Sequence, residues 1–191
     1  MIIIHPFDPS TRFLSLIYEG FEDALFFDSG KQKNEIRSAL TISPKDELVL
    51  MLGHGTPDGM VDRRDWTYLI NDKDVDLLIN RPNLIGIWCY ASSFAEKHKL
   101  KGLYCGMFIS EYGEALDLGI KSTYEEVEEY SWDFAGRFGE LLRAGLGLKE
   151  IANTLTDEKY QNSELTKYNY SRLTFRETGE EPLPIKEEYW G

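Results

Sequence analysis

The sequence has little cysteine, no excess of basic residues and no long apolar run. Two cysteines among 191 residues make no disulfide framework, so a reducing compartment is expected. The net charge of −12 argues against nucleic acid or an anionic membrane as a partner, because phosphate binding needs clustered cations. No stretch approaches the roughly 18 apolar residues that cross a bilayer, and no targeting segment is recognisable. These absences predict a cytoplasmic protein.

What is present is the composition of a globular protein. Hydrophobic residues make up 42% of the chain and aromatic residues 13%, which excludes disorder. No repeat, low-complexity segment or linker divides the sequence, so residues 1–191 are expected to form a single domain. Strands are predicted at 1–5, 23–30, 47–52, 84–90, 103–110 and, at an edge, 169–177.

Helical patterns separate these strands. The predicted helices cover 8–21 (with Asp8 as N-cap), 33–42, 72–80, 92–102 and 148–155, and a long one follows a capping box formed by Ser122 and Glu125. Apolar strands separated by helices predict an α/β fold, a three-layer α/β/α sandwich with a mostly parallel sheet.

In such sheets ligands bind beyond the carboxyl ends of the strands. His54 follows the strand at 47–52 and is flanked by glycines, and Cys89 lies at the end of the strand at 84–90. The topology therefore places both side chains at the edge of the sheet where chemistry is expected.

A cysteine and a histidine placed in this way can form a nucleophile and its base. The thiolate attacks a carbonyl carbon, and the imidazole first accepts the thiol proton and then gives it to the leaving group. Ser92 or Ser93 is expected to cap the helix after Cys89, whose positive end would favour the thiolate. Gly55 has no side chain, so its backbone N–H and that of Cys89 are predicted to form an oxyanion hole.

The segments around these residues resemble a known group of enzymes. "ELVLMLGHGTPDGMV" is similar to the His-Gly strand of the caspase/clostripain/gingipain (clan CD) superfamily of cysteine peptidases. "IGIWCYASSFAEKHKLKGLYCGMFISE" is similar to the clostripain-type segment, in which Cys opens a helix and the next strand ends in Ser followed by Gln or Glu. The resemblance covers about residues 1–115.

The resemblance implies a caspase-like fold and a cysteine endopeptidase that acts on a protein or peptide substrate. It implies Cys89 as the nucleophile, His54 as general base and acid, and Gly55 in the oxyanion hole, without a metal or an organic cofactor. In clostripain-like members an acid two residues before the cysteine helps to bind a basic substrate side chain, but here that position is Ile87. The tentative substrate-binding residues are Asp58, Ser110 and Glu111.

A zinc-dependent hydrolase is one alternative. His5 also ends a strand, and the first and third strands are expected to be neighbours. His5, His54 and Cys89 could then supply three ligands and leave an open position for catalysis.

A catalytically inactive, caspase-like interaction module is the other alternative. It is favoured by Trp88, a bulky residue directly before the cysteine, and by the missing acid at Ile87. Cys105 is predicted to lie in the core, and His98 on a solvated helix face.

Overall fold

The fold is built around a six-stranded sheet in a computed structural model that describes residues 1–6 and 8–177. In chain order the strands are β1 Ile2–Ile4, β2 Leu25–Phe27, β3 Val49–Leu52, β4 His54–Thr56, β5 Gly59–Asp62, β6 Thr67–Asn71, β7 Leu84–Ile87, β8 Gly102–Cys105 and β9 Leu173–Arg176. The main sheet has the order β2-β1-β3-β7-β8-β9, and only β9 is antiparallel to its neighbour. The predicted α/β class and mostly parallel sheet are confirmed. The single domain expected over 1–191 includes Phe7 and 178–191, which lie outside the described residues.

Helices connect most of these strands. They are α1 Lys33–Ile42, α2 Val75–Leu78, α3 Ala91–Lys97, α4 Tyr112–Asp117, α5 Tyr124–Arg143, α6 Leu148–Leu155 and α7 Glu164–Ser171, with 3-10 helices at Pro9–Ile17, Gly30–Gln32, Asp72–Asp74 and Glu158–Tyr160. The predicted helices at 33–42 and 148–155 are confirmed. Within the described part of the chain, no helix combines the length and apolar character needed to cross a membrane.

Each face of the main sheet has its own apolar core, because successive side chains of a strand point to opposite faces. On one face Leu50 belongs to a cluster that includes Phe134 of α5. On the other face Met51 belongs to a cluster that includes Leu40 of α1 and Phe94 of α3. Helices therefore cover both faces, which explains why β3 is buried along its whole length.

A second, three-stranded antiparallel sheet follows β3 and was not predicted. Its order is β4-β5-β6, with His54 opposite Val61 and Gly55 opposite Met60. Pro57 lies in the turn between β4 and β5, as its turn chemistry predicts. The strands have only three to five residues each, too few for an alternating pattern to stand out in the sequence.

The start of α5 differs from the prediction by one residue. Thr123 is the N-cap, and its side chain accepts a hydrogen bond from the Glu126 amide while Glu126 accepts one from the Thr123 amide. The predicted box of Ser122 and Glu125 is wrong because two overlapping pairs satisfy the same spacing.

The predicted strand at 169–177 is also too long. Its first residues belong to α7, and β9 begins only at Leu173, although its position at the sheet edge is confirmed. Asn169 explains the difference. Its buried side chain bonds both the amide and the carbonyl of Ile109, at 2.8 and 2.9 Å, which fixes α7 against the segment after β8.

Trp88 joins the two sheets. Its side chain is 1% exposed and its ring lies against Gly55 of β4, where an added Cβ would overlap the indole. A Cβ at Gly86 of β7 would come within 2.8 Å of the same ring. Two glycines thus leave the space that this bulky side chain fills.

We expect Gly55→Ala to destabilise the fold by about 1–3 kcal/mol, because the new methyl group would displace the indole of Trp88 from a packed core. Urea unfolding followed by circular dichroism measures the effect. Gly113→Ala is the matched control, since no atom lies within 4 Å of the Cβ that it adds. A Gly55→Ala variant as stable as Gly113→Ala would contradict this account of Trp88 packing.

Candidate functional site

His54 and Cys89 leave neighbouring strands at the same level of the sheet. The parallel pairing of β3 with β7 sets Leu52 opposite Ile87, and the Gly53 amide donates to the Ile87 carbonyl at 2.9 Å. Each candidate residue lies two positions beyond its paired residue. The structure therefore places both at the carboxyl edge of the sheet.

His54 is bonded to the start of the 3-10 helix that follows β1. Its Nε2 lies 3.0 Å from Ser10 Oγ and 3.3 Å from Asp8 Oδ1. Asp8 is the N-cap of that helix, as predicted, and accepts hydrogen bonds from the Ser10 amide at 2.9 Å and the Ser10 hydroxyl at 2.7 Å. Neither Ser10 nor Asp8 was predicted to belong to the site. The available signal was their position just after β1, which pairs with β3 as expected.

The Asp8 carboxylate is stabilised in its charged form. Burial alone would raise its pKa, but the hydrogen bonds from the Ser10 side chain and amide and from His54 outweigh burial and lower the pKa. Asp8 is therefore ionised at neutral pH and can only accept hydrogen bonds.

Cys89 has a neutral thiol in this structure. Burial raises its pKa to about 11, and the carboxylates of Glu114 and Glu111 add to the increase. The thiol donates to the Phe108 carbonyl, with Sγ 3.7 Å from the oxygen. With this pKa only about one molecule in ten thousand carries the thiolate at pH 7. Within residues 1–6 and 8–177, no hydrogen bond joins Cys89 to His54.

The helix after Cys89 begins differently from the prediction. Tyr90 is its N-cap, has a left-handed backbone with φ of 69°, and makes no side-chain cap. The expected cap at Ser92 or Ser93 is wrong, because the Tyr90 amide donates to the Gly106 carbonyl and the helix starts directly afterwards at Ala91.

The bulky Trp88 turns away from the Cys89 thiol. Trp88 belongs to the core cluster that contains Phe94, whereas Phe108, the partner of the thiol, belongs to the cluster on the opposite face. The absence of a side chain at Gly55 accommodates this indole ring.

His5 forms a separate buried contact. Its Nδ1 lies 3.0 Å from the Tyr18 hydroxyl, and burial lowers its pKa to about 4. Among the described residues, no group of three or more His, Cys, Asp or Glu side chains could hold a metal ion. His5, His54 and Cys89 thus do not assemble the zinc site considered above.

A cavity of about 460 Å³ lies between the 3-10 helix after β1, the segment after β8 and α5, and neither His54 nor Cys89 is among its lining residues. Its walls include Ser110, Glu111 and Ser10, and Ser10 links the cavity to His54. Glu111 also accepts a hydrogen bond from Arg63 at 3.0 Å. Asp58, the third tentative substrate-binding residue, is not part of this cavity; it is exposed and pairs with Lys97 at 3.3 Å.

Two further predictions concern residues outside this cluster. Cys105 is fully buried, so its expected place in the core is confirmed. His98 is only partly solvated: its side chain is 16% exposed, packs on Phe94 and has Nε2 2.9 Å from Oδ1 of the exposed Asp72.

No protein-family model matches the chain, and no match is found among curated proteins or solved structures.

We expect alkylation of Cys89 by iodoacetamide to accelerate about tenfold per pH unit between about pH 7 and 9, since the thiolate fraction rises by that factor below the pKa. Mass spectrometry of the labelled native chain measures the rate at each cysteine. Cys105, which is fully buried, should react more slowly in the same sample. A Cys89 rate that is already constant above pH 7 would show a thiolate and contradict the raised pKa.

Proposed function

We propose that the protein is a cysteine peptidase of caspase-like α/β/α fold, with Cys89 as nucleophile and His54 as general base and acid. One observation carries the proposal: both residues leave adjacent parallel strands two positions beyond the paired Leu52 and Ile87. Neighbouring strands lie about 4.8 Å apart where they pair, so His54 and Cys89 extend from two adjacent strand ends.

Acyl transfer at this edge uses the two side chains in sequence. The Cys89 sulfur attacks the carbonyl carbon of the scissile amide while its proton passes to His54. The carbon–nitrogen bond then breaks, and His54 gives the proton to the departing amine. Water, deprotonated by His54, attacks the resulting thioester, and its collapse releases the acid and restores the thiol.

The oxyanion of each tetrahedral intermediate needs fixed donors. In this proposal they are the backbone N–H groups of Gly55 and Cys89, each worth roughly 3–4 kcal/mol in the transition state. The Trp88 ring packs against Gly55 and holds it in place, so the Gly55 N–H would be preorganised as a donor.

In this proposal the neutral thiol belongs to the resting state of the enzyme. Forming a thiolate at pH 7 from a thiol with a pKa of about 11 costs roughly 5 kcal/mol. Attraction between the thiolate and the imidazolium of His54 offsets part of that cost, once the sulfur rotates away from the Phe108 carbonyl. Catalytic hydrogen bonds are often long or absent before substrate binds.

The 460 Å³ cavity is the proposed substrate-binding region. It is lined by Ser110 and Glu111, which follow β8 at the same edge, and by aromatic side chains of α5. Ser10, which lines the cavity, lies 3.0 Å from His54 Nε2, so a peptide in the cavity would lie next to the residue that contacts the proposed base. A protein or peptide substrate in the cytoplasm fits the two free cysteines and the acidic charge.

The inactive interaction module is the second candidate, and the neutral, hydrogen-bonded thiol favours it. The two candidates differ in one property. A peptidase must transfer the Cys89 proton when substrate binds, whereas an interaction module has no need of that thiol.

We expect the full chain to cleave members of a mixed peptide library, and both Cys89→Ala and His54→Ala to reduce cleavage to background. The double variant should be no worse than either single one, because the residues act as a unit. Mass spectrometry of the products measures cleavage. Cys105→Ala is the control that removes the other thiol and should remain active.

Cleavage that survives both substitutions would exclude the proposed mechanism. A correctly folded wild type that cleaves no peptide, and whose Cys89 ignores peptide electrophiles, would establish the interaction module instead.

A further inference from the structure

The contacts between His54 and the chain segment after β1 have a consequence for the proton on its ring. Ser10 Oγ lies 3.0 Å from Nε2, and Asp8 Oδ1 lies 3.3 Å from the same nitrogen. Neither contact involves Nδ1. All polar contacts found for the imidazole among the described residues are therefore made through one nitrogen.

The protons available on Asp8, Ser10 and His54 determine which of these groups donates each hydrogen bond. Asp8 is ionised at neutral pH and has no proton to give. Ser10 has a single hydroxyl proton, and its Oγ is closer to Asp8 Oδ1, at 2.7 Å, than to His54 Nε2. Ser10 thus donates to Asp8, which leaves only lone pairs of Oγ facing the imidazole. A bond between Ser10 and His54 then requires a proton on Nε2.

A neutral imidazole carries only one proton, so Nδ1 keeps its lone pair. We propose that Asp8, acting with Ser10, is a positioning residue that keeps the proton of neutral His54 on Nε2 and reserves Nδ1 as the base for Cys89. The catalytic part of this proposal rests on the proposed peptidase function.

Proton transfer is then defined atom by atom. The Cys89 S–H bond breaks and an N–H bond forms at Nδ1, which gives an imidazolium with protons on both nitrogens. Its positive charge lies next to the Asp8 carboxylate, which stabilises it. The Nδ1 proton goes to the leaving amine, and His54 returns to its starting tautomer.

The backbone holds this arrangement in place. β1 pairs with β3, with Ile4 opposite Met51, so the segment after β1 lies next to the start of β4. Asp8 is fixed as the N-cap by two bonds from Ser10, one from its amide and one from its hydroxyl. The same carboxylate therefore starts the helix and orients His54.

We expect nitrogen-15 NMR of the full chain at about pH 8, where an ordinary histidine is neutral, to show His54 with a protonated Nε2 and an unprotonated Nδ1. His54→Gln assigns the signal among the three histidines. A protonated Nδ1 in the wild type would overturn the proposal, whatever the activity.

Asp8→Asn keeps a good N-cap but removes the charge. The fold should therefore persist, while neutral His54 should no longer keep its proton on Nε2 alone. We expect kcat to fall about 10-fold or more with KM nearly unchanged, because Asp8 is not part of the wall of the 460 Å³ cavity.

Ser10→Ala should have a smaller effect on the tautomer, because Asp8 can still accept a hydrogen bond from Nε2 directly. Ser10→Thr keeps the hydroxyl, so His54 should retain its proton on Nε2 in this variant.

Asp28→Asn is the matched control. Asp28 and Asp8 both line a second, smaller cavity of about 170 Å³, but Asp28 makes no hydrogen bond to His54, so the tautomer and kcat should not change. Unchanged NMR signals and kcat in Asp8→Asn would refute the positioning role. The expected tautomer in a wild type that cleaves no peptide would instead support the assignment and refute the peptidase.

Discussion

The backbone ladder between β3 and β7 sets Leu52 opposite Ile87 and continues to the Gly53 amide. His54 and Cys89 are placed at one level of the sheet by this register alone, although 35 residues separate them in the chain (89 − 54). A slip of one residue would turn the side chains of one strand to the other face. The apolar cores on both faces oppose such a slip, because it would exchange side chains of different shape between two close-packed cores.

The short second sheet depends on the same ladder. A single residue, Gly53, separates β3 from β4, and Trp88, directly after β7, fills the space between Gly55 and Gly86. The indole therefore connects the two strand ends from which the candidate site is built. A large residue directly before Cys89 counts against catalysis when the sequence is considered alone. In the structure it is a structural element that holds the hairpin, and with it His54, against the main sheet.

The sequence predicts those parts of the fold that depend on local patterns. The strands before His54 and Cys89 are continuous apolar runs, and α1 has regular helical spacing, so these elements were located, although β7 ends at Ile87 and not at residue 90. The start of α3 was not, because the left-handed backbone of Tyr90 is set by a tertiary bond to a strand-end carbonyl. The contact of Ser10 with His54 was missed for a similar reason. Strand order brings the segments together, but the orientation of a hydroxyl group depends on packing that no periodicity encodes.

The neutral thiol affects how readily Cys89 is oxidised in a cell. Peroxides oxidise thiolates far faster than thiols, and the first product, a sulfenic acid, leads on to irreversibly oxidised forms. A resting Cys89 that stays protonated, with its sulfur against the Phe108 carbonyl, is a poor target for such reagents. Under the proposed mechanism, in which Cys89 ionises only when the imidazole of His54 approaches it, the thiol would be protected from oxidation between turnovers.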